Sequence, residues 1–108
     1  MSTISFDEFQ ELDLRTGTIE EVEEHPNADK LLILKINVGE EIKQSCAGLK
    51  NHYTKEELKG KKVVVLNNLE TANLRGEKSE CMVLAADADE DVVLLQPEKE
   101  LPDGIKVR

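Results

Sequence analysis

The sequence predicts an all-β domain, a five-stranded OB-fold barrel with a short helix between strands 3 and 4 and short terminal elements. Three observations carry this expectation. Five or more short apolar segments, several alternating with period two, are separated by turn-forming residues. One capped helical segment falls between the third and fourth of them, where the five-stranded OB barrel places its helix. The length of 108 residues suits one small domain, expected to span 1–108. SH3-like barrels and small sandwiches share the short-strand pattern; the position of the helix favours the OB arrangement.

Ser5-Phe6-Asp7-Glu8 reads as a capping box opening a short helix, with Phe6 and Phe9 on one face. A threonine-rich extended segment runs from Leu14 to about Glu24, with Gly17 as a candidate bulge, and closes at the turn His25-Pro26-Asn27. Leu32, Leu34, Ile36 and Val38 alternate with Ile33, Lys35 and Asn37, the period of a strand. Gly39-Glu40 turns the chain into a further strand, Glu41 to about Ala47, completing a hairpin. Thr54-Lys55-Glu56-Glu57 is a second capping box, and Gly60 is a helix stop. Lys62 to Asn67 is again a strand, with Val63, Val64, Val65 and Leu66 expected as a buried run. Asn68 to Glu80 reads as a polar loop. Two strands follow, Cys81 to Ala86 and Val92 to Leu95, around the acidic turn Asp87–Asp91. Pro97 and Pro102-Asp103-Gly104 mark a turn region before Ile105 and Val107.

Composition narrows the function classes. The net charge is −9, and 39% of residues are apolar in runs long enough for a folded core. No run approaches the roughly 18–20 apolar residues of a membrane span. The segment Met1 to Gln10 lacks the basic and apolar regions of a signal peptide, so a cytoplasmic protein is expected. Two cysteines and two histidines, without ligand spacing, predict neither a disulfide framework nor a metal site. Cys46 and Cys81 are expected as small apolar residues without a part in activity. No nucleophile–base pair, carboxylate dyad or phosphate-cradling glycine loop is recognisable, so no enzyme activity and no cofactor are expected.

Charge is unevenly placed. Residues 1–29 carry nine acids and one base, and residues 81–108 seven acids and three bases. Residues 30–80 carry ten bases and seven acids, so a basic excess of three is confined to the centre of the chain. A solvated face is the ordinary explanation, and an anionic partner meeting only the central segment is the sharper one. Aromatic residues are limited to Phe6, Phe9 and Tyr53. OB domains that bind single strands stack bases on aromatic rings, and this chain has almost none to offer. A folded RNA read by shape and backbone contacts fits the available residues better.

Several motifs converge in order and spacing: Leu12-Asp13-Leu14-Arg15-Thr16-Gly17, His25-Pro26-Asn27-Ala28-Asp29-Lys30-Leu31, Ala47-Gly48-Leu49, Asn68-Leu69, Leu74-Arg75-Gly76 and Ser79-Glu80-Cys81-Met82. From about Phe6 to Val107 the chain resembles the tRNA-binding domain family. Its members include free-standing tRNA-binding proteins, C-terminal or beta-subunit domains of methionyl-tRNA synthetases, and accessory proteins of multisynthetase complexes. CsaA-like secretion chaperones are a related branch, to which Ile42-Lys43-Gln44-Ser45 is similar. The resemblance implies an OB barrel that dimerises when it stands alone and binds folded tRNA near its elbow. It also implies candidate tRNA-binding residues Asn27, Lys30, Asn68, Arg75, Ser79 and Met82.

Lys30 and Arg75 suit phosphates, and Asn27, Asn68 and Ser79 suit 2′-hydroxyls and base edges. Met82 offers a flexible apolar surface for a base or ribose. Each also has a plainer explanation: Lys30 as an exposed lysine, Arg75 as a turn residue, Ser79 bonding the local backbone, and Met82 as core. Glu70-Thr71-Ala72-Asn73 stands where family members often have Lys-Pro-Ala-Lys, a departure that bears on affinity rather than fold. The expected partners are tRNA, an aminoacyl-tRNA synthetase and a second copy of the chain. Phe6, Phe9, Leu101, Ile105 and Val107 are the candidate dimer surface. The competing expectation is a dimeric peptide-binding chaperone of the CsaA kind.

Overall fold

A computed structural model describes residues Ser2–Arg108; Met1, the first residue of the expected domain, lies outside the described residues. The fold is all-β around a nearly closed five-stranded antiparallel barrel. Helix α1 (Phe6–Gln10) precedes β1 (Leu14–Glu24), β2 (Leu32–Asn37) and β3 (Ile42–Ala47). Helix α2 (Lys55–Leu58) and β4 (Lys62–Leu66) follow, then the short strands β5 (Ala72–Leu74), β6 (Glu77–Ser79), β7 (Met82–Val83), β8 (Ala85–Asp87) and β9 (Val92–Leu94). The main sheet runs β3-β2-β1-β4-β7. Among the described residues, no helix is long and apolar enough to cross a membrane.

Both helices begin where their capping boxes place them. Ser5 Oγ accepts from Glu8 N at 3.1 Å while Ser5 N donates to Glu8 Oε1 at 3.0 Å, and Thr54 and Glu57 repeat the exchange. Each box satisfies two amides that a helix start leaves without intrahelical partners. Leu58 of α2 is fully buried in the core.

The inward face of the barrel is aliphatic. Ile19 from β1, Leu32, Leu34 and Ile36 from β2, and Val63 and Val65 from β4 are at most 1% exposed. At roughly 1.5–3 kcal/mol for each fully buried large aliphatic side chain, this face is the main source of stability. On β4 burial alternates, so Val64 and Leu66 are half-buried and the expected four-residue buried run is instead a one-sided strand. Water reaches the outer face of this antiparallel sheet, which imposes the period of two.

The bulge is also displaced from its expected position. Gly17 pairs regularly with Val63, and the register shifts between Ile19 and Glu21. Gly17 answers to close packing: a Cβ there would lie 2.8 Å from Asn37 O and 2.9 Å from Ile36 Cγ2. The expected polar loop Asn68–Glu80 contains the β5–β6 hairpin. The expected strand Cys81–Ala86 divides at Leu84 into β7, which pairs with β4, and β8, which pairs with β9.

Two seams complete the barrel. Glu80 N donates to Gln44 O at 2.7 Å, Gln44 N to Glu80 Oε1 at 2.9 Å, and Cys46 N to Ser79 Oγ at 3.0 Å. Side-chain oxygens thus replace part of a backbone ladder along the edge of β3. At the other end, the C-terminal segment lies along β1, with Thr16 N bonded to Ile105 O and Val107 N to Leu14 O. Asp103 anchors it: its Oδ1 accepts from Lys62 Nζ at 2.8 Å and from Thr18 Oγ1 at 2.6 Å.

Candidate nucleic-acid interface

Two loops meet at one end of the barrel, residues 25–31 between β1 and β2 and the β5–β6 turn. These occupy the places of the loops through which OB barrels bind oligonucleotides. The β5–β6 turn has two central residues, Arg75 at φ 53° and Gly76 at φ 95°, between the paired Leu74 and Glu77. Positive φ at both positions is the requirement of a type I′ hairpin. Glycine adopts it freely, but arginine there costs about 1–2 kcal/mol. Asn73 Oδ1 helps hold the turn by accepting from Gly76 N at 2.8 Å.

His25, read from sequence only as a turn residue, joins the two loops. It is 6% exposed. Its Nε2 lies 2.7 Å from Leu74 O, and its Nδ1 accepts from Asn27 N at 3.0 Å. A carbonyl can only accept and an amide N–H can only donate, so the two partners assign the neutral Nε2–H tautomer. Asn27 adds a second link, its Nδ2 donating to Arg75 O at 3.2 Å. The sequence signals for His25 are its place before Pro26, immediately after a strand, and its position at the head of the motif His25–Leu31.

Asn27, Lys30 and Arg75 line one shallow groove of about 370 Å³ between the loops. All three are exposed. Among the described residues, the side chains of Lys30 and Arg75 have no ion pair or hydrogen bond. Several other central cations are committed: Lys50 to Glu24 at 2.6 Å, Lys62 to Asp103 at 2.8 Å, and Lys35 Nζ to Gln44 Oε1 at 2.6 Å. Lys59 and Lys78 are also without a side-chain partner among the described residues, but they do not line this groove. Lys30 and Arg75 therefore face solvent around a single concavity, which the exposed carboxylate of Asp29 also lines.

A second, larger groove of about 470 Å³ has Leu49, Leu69, Leu74, Met82 and Val83 among its lining residues. Met82 is 47% exposed there. Ser79 also lines this groove, but it is buried and its hydroxyl accepts from Cys46 N and donates to Cys81 O at 3.4 Å. Asn68 lines neither groove. Its Oδ1 accepts from Asp13 N at 2.9 Å and its Nδ2 donates to Glu11 O at 2.8 Å, fixing the link between α1 and β1. Cys81 is fully buried, and burial pushes its thiol up to about 11, which suppresses the reactive thiolate. Burial also raises the Cys46 thiol, with the carboxylate of Glu77 adding to the effect.

Among the described residues, no group of three or more His, Cys, Asp or Glu side chains is placed to hold a metal ion.

Residues 14–106 match the family described as putative tRNA binding domain. Over 108 residues the chain is 52% identical to a methionine–tRNA ligase of Thermococcus kodakarensis, covering all of this chain and 15% of the ligase. The chain thus spans about 15% of the length of such curated relatives. Among solved structures, chaperone CsaA from Bacillus anthracis superposes with a TM-score of 0.89 at 39% identity, covering 99% of this chain and 100% of the other. A MetRS-related protein from Pyrococcus horikoshii superposes at 0.92 with 28% identity, covering 100% of both chains.

Proposed function

Because the chain belongs to the putative tRNA binding domain family, we propose that it is a structure-specific tRNA-binding module. It recognises folded tRNA, alone or with an aminoacyl-tRNA synthetase, of which methionyl-tRNA synthetase is the best supported by relatedness. One observation carries the reading: two unpaired cations, Lys30 and Arg75, stand on two hydrogen-bonded loops around one groove. In this reading Lys30 and Arg75 neutralise phosphates, while Asn27, whose Oδ1 has no partner among the described residues, meets a 2′-hydroxyl or base edge. Met82 supplies apolar contact from the larger groove. Asn68 and Ser79 act as scaffold away from the groove between the loops, since their polar atoms already serve the fold. The whole of 1–108 acts as one binding domain that catalyses no reaction itself and works in the cytoplasm.

The net charge of −9 opposes long-range attraction to RNA. Binding then rests on local phosphate contacts and is steeply dependent on salt. Titration with mixed tRNA at several salt concentrations tests this. Lys30→Ala and Arg75→Ala are each expected to weaken binding to all tRNAs about equally and to lower the slope of log affinity against log salt by about one. Undetectable binding to the unaltered protein at low salt would refute the reading.

The apolar lining of the larger groove favours a second reading, a dimeric peptide-binding chaperone of the CsaA kind. An unfolded peptide that binds where tRNA does not would establish it in place of the first. A homodimer fits either reading. Helix α1 contributes no buried residue, and Ile4, Phe6 and Ile105 are 64%, 71% and 42% exposed. Light scattering that reports a monomer at tens of micromolar would exclude the dimer.

A further inference from the structure

We infer that His25 is a positioning residue for nucleic-acid binding, locking the first loop to the β5–β6 turn so that Lys30 and Arg75 address one RNA backbone together. This inference rests on the tRNA-binding reading for its ligand. Its geometry stands independently.

The imidazole is used at both nitrogens. Through Nε2–H it reaches Leu74 O, 49 residues away along the chain, and through Nδ1 it orders its own loop at Asn27 N. Asn27 then repeats the crossing one residue further along, from Nδ2 to Arg75 O. The carbonyls of Leu74 and Arg75 therefore both receive donors from the first loop. Loops are the mobile parts of a domain, and a hairpin of three-residue strands has little pairing of its own with which to fix a direction. Burial matters as well: at 6% exposure the ring's bonds face little competition from water. The β6 arm is held to β3, where Gln44 Nε2 donates to Lys78 O at 2.8 Å and to Glu77 Oε1 at 3.2 Å, so what the clamp governs is the turn that carries Arg75. Without the clamp each cation could still find a phosphate, but the cost of ordering that turn would fall on binding.

The two nitrogens can be separated by substitution. Glutamine places its amide nitrogen near the site of Nε2, so His25→Gln keeps the donor to Leu74 O and loses the acceptor for Asn27 N. Asparagine places its carbonyl oxygen near the site of Nδ1, so His25→Asn keeps the local turn but cannot reach Leu74. Each variant forfeits one hydrogen bond, so a purely structural residue would treat them alike.

Two readouts on the full chain decide the matter. Backbone ¹⁵N relaxation without RNA is expected to show the order parameters of Arg75 and Gly76 falling in His25→Asn and holding in His25→Gln. Mixed-tRNA titration is expected to show His25→Asn weakened about tenfold, the worth of one hydrogen bond. The same titration should leave His25→Gln within about threefold of the unaltered protein. Equal order parameters in all three proteins would overturn the inference. So would equal tRNA affinities when the unaltered protein binds. If relaxation separates the variants but the unaltered protein binds no tRNA, the tRNA reading fails and the binding role of His25 falls with it, leaving the loop clamp as a structural result.

Discussion

Ser79→Ala removes one hydroxyl from the seam between β3 and the segment entering β7. That hydroxyl accepts from Cys46 N at 3.0 Å and bonds Cys81 O at 3.4 Å, in a side chain 5% exposed. Alanine leaves the Cys46 amide without a partner. A buried donor left unsatisfied costs about 1–3 kcal/mol, and because Cys46 is itself only half-buried the lower half of that range applies, about 1.5 kcal/mol. With a urea m-value of about 1–3 kcal/mol/M, the unfolding midpoint should fall by about 0.5–1.5 M at unchanged m. Thermal unfolding should fall by roughly 6–12 °C in a domain of this size. Urea titration followed by far-UV circular dichroism measures the first quantity. Affinity for tRNA per folded molecule should stay unchanged, because the hydroxyl faces the protein backbone. An unchanged midpoint together with about tenfold weaker tRNA binding would refute this reasoning and make Ser79 a direct ligand.

Arg75→Asn should raise stability by about 1 kcal/mol, since asparagine tolerates the positive φ of an Asn-Gly hairpin turn. It should weaken tRNA binding at the same time, a separation visible by comparing chemical unfolding with RNA titration. Glu70→Lys, at an exposed position, should strengthen binding and steepen its salt dependence by about one contact. Asn73→Lys should instead cost about 1 kcal/mol of stability in urea unfolding, because it removes the acceptor for Gly76 N. Burial opposes ionisation of Asp103, but hydrogen bonds from Lys62 and Thr18 outweigh it and hold the carboxyl below its ordinary value of 3.8. Asp103 therefore contributes stability that is complete above that value and is lost as the pH falls through the lower, folded-state value. In acid titration followed by circular dichroism, Asp103→Asn should lose that part of the pH dependence and about 1–2 kcal/mol at neutral pH.

The elements legible in the sequence are those whose determinants lie within a few residues. Ser5 with Glu8, and Thr54 with Glu57, bond over a separation of three, so both helix starts could be read directly. The period-two core of β2, Leu32, Leu34 and Ile36, is carried by the strand's own side chains, and the end of β1 is marked by the turn residues His25-Pro26-Asn27 that follow it. The family motifs likewise named Lys30 and Arg75, because the residue type already carries the charge. The β5–β6 hairpin reads as loop, since strands of three residues are too short to display a period and its turn has arginine where Asn-Gly would signal a hairpin.

Tertiary structure alone decided which polar groups are free. Asn68, Ser79 and Asn27 are equally capable of meeting RNA by residue type, yet their partners separate them: residues 11 and 13 for Asn68, Cys46 for Ser79, and Arg75 for one half of the Asn27 amide. His25 is the strongest case, its role set by a carbonyl 49 residues distant. Composition and local pattern by themselves determined an aliphatic β-domain with a basic centre. The closing of the barrel, the clamp between its loops and the cations left unpaired depend on contacts across the chain, because a hydrogen bond is specified by two groups brought within about 3 Å and each segment contains only one of them.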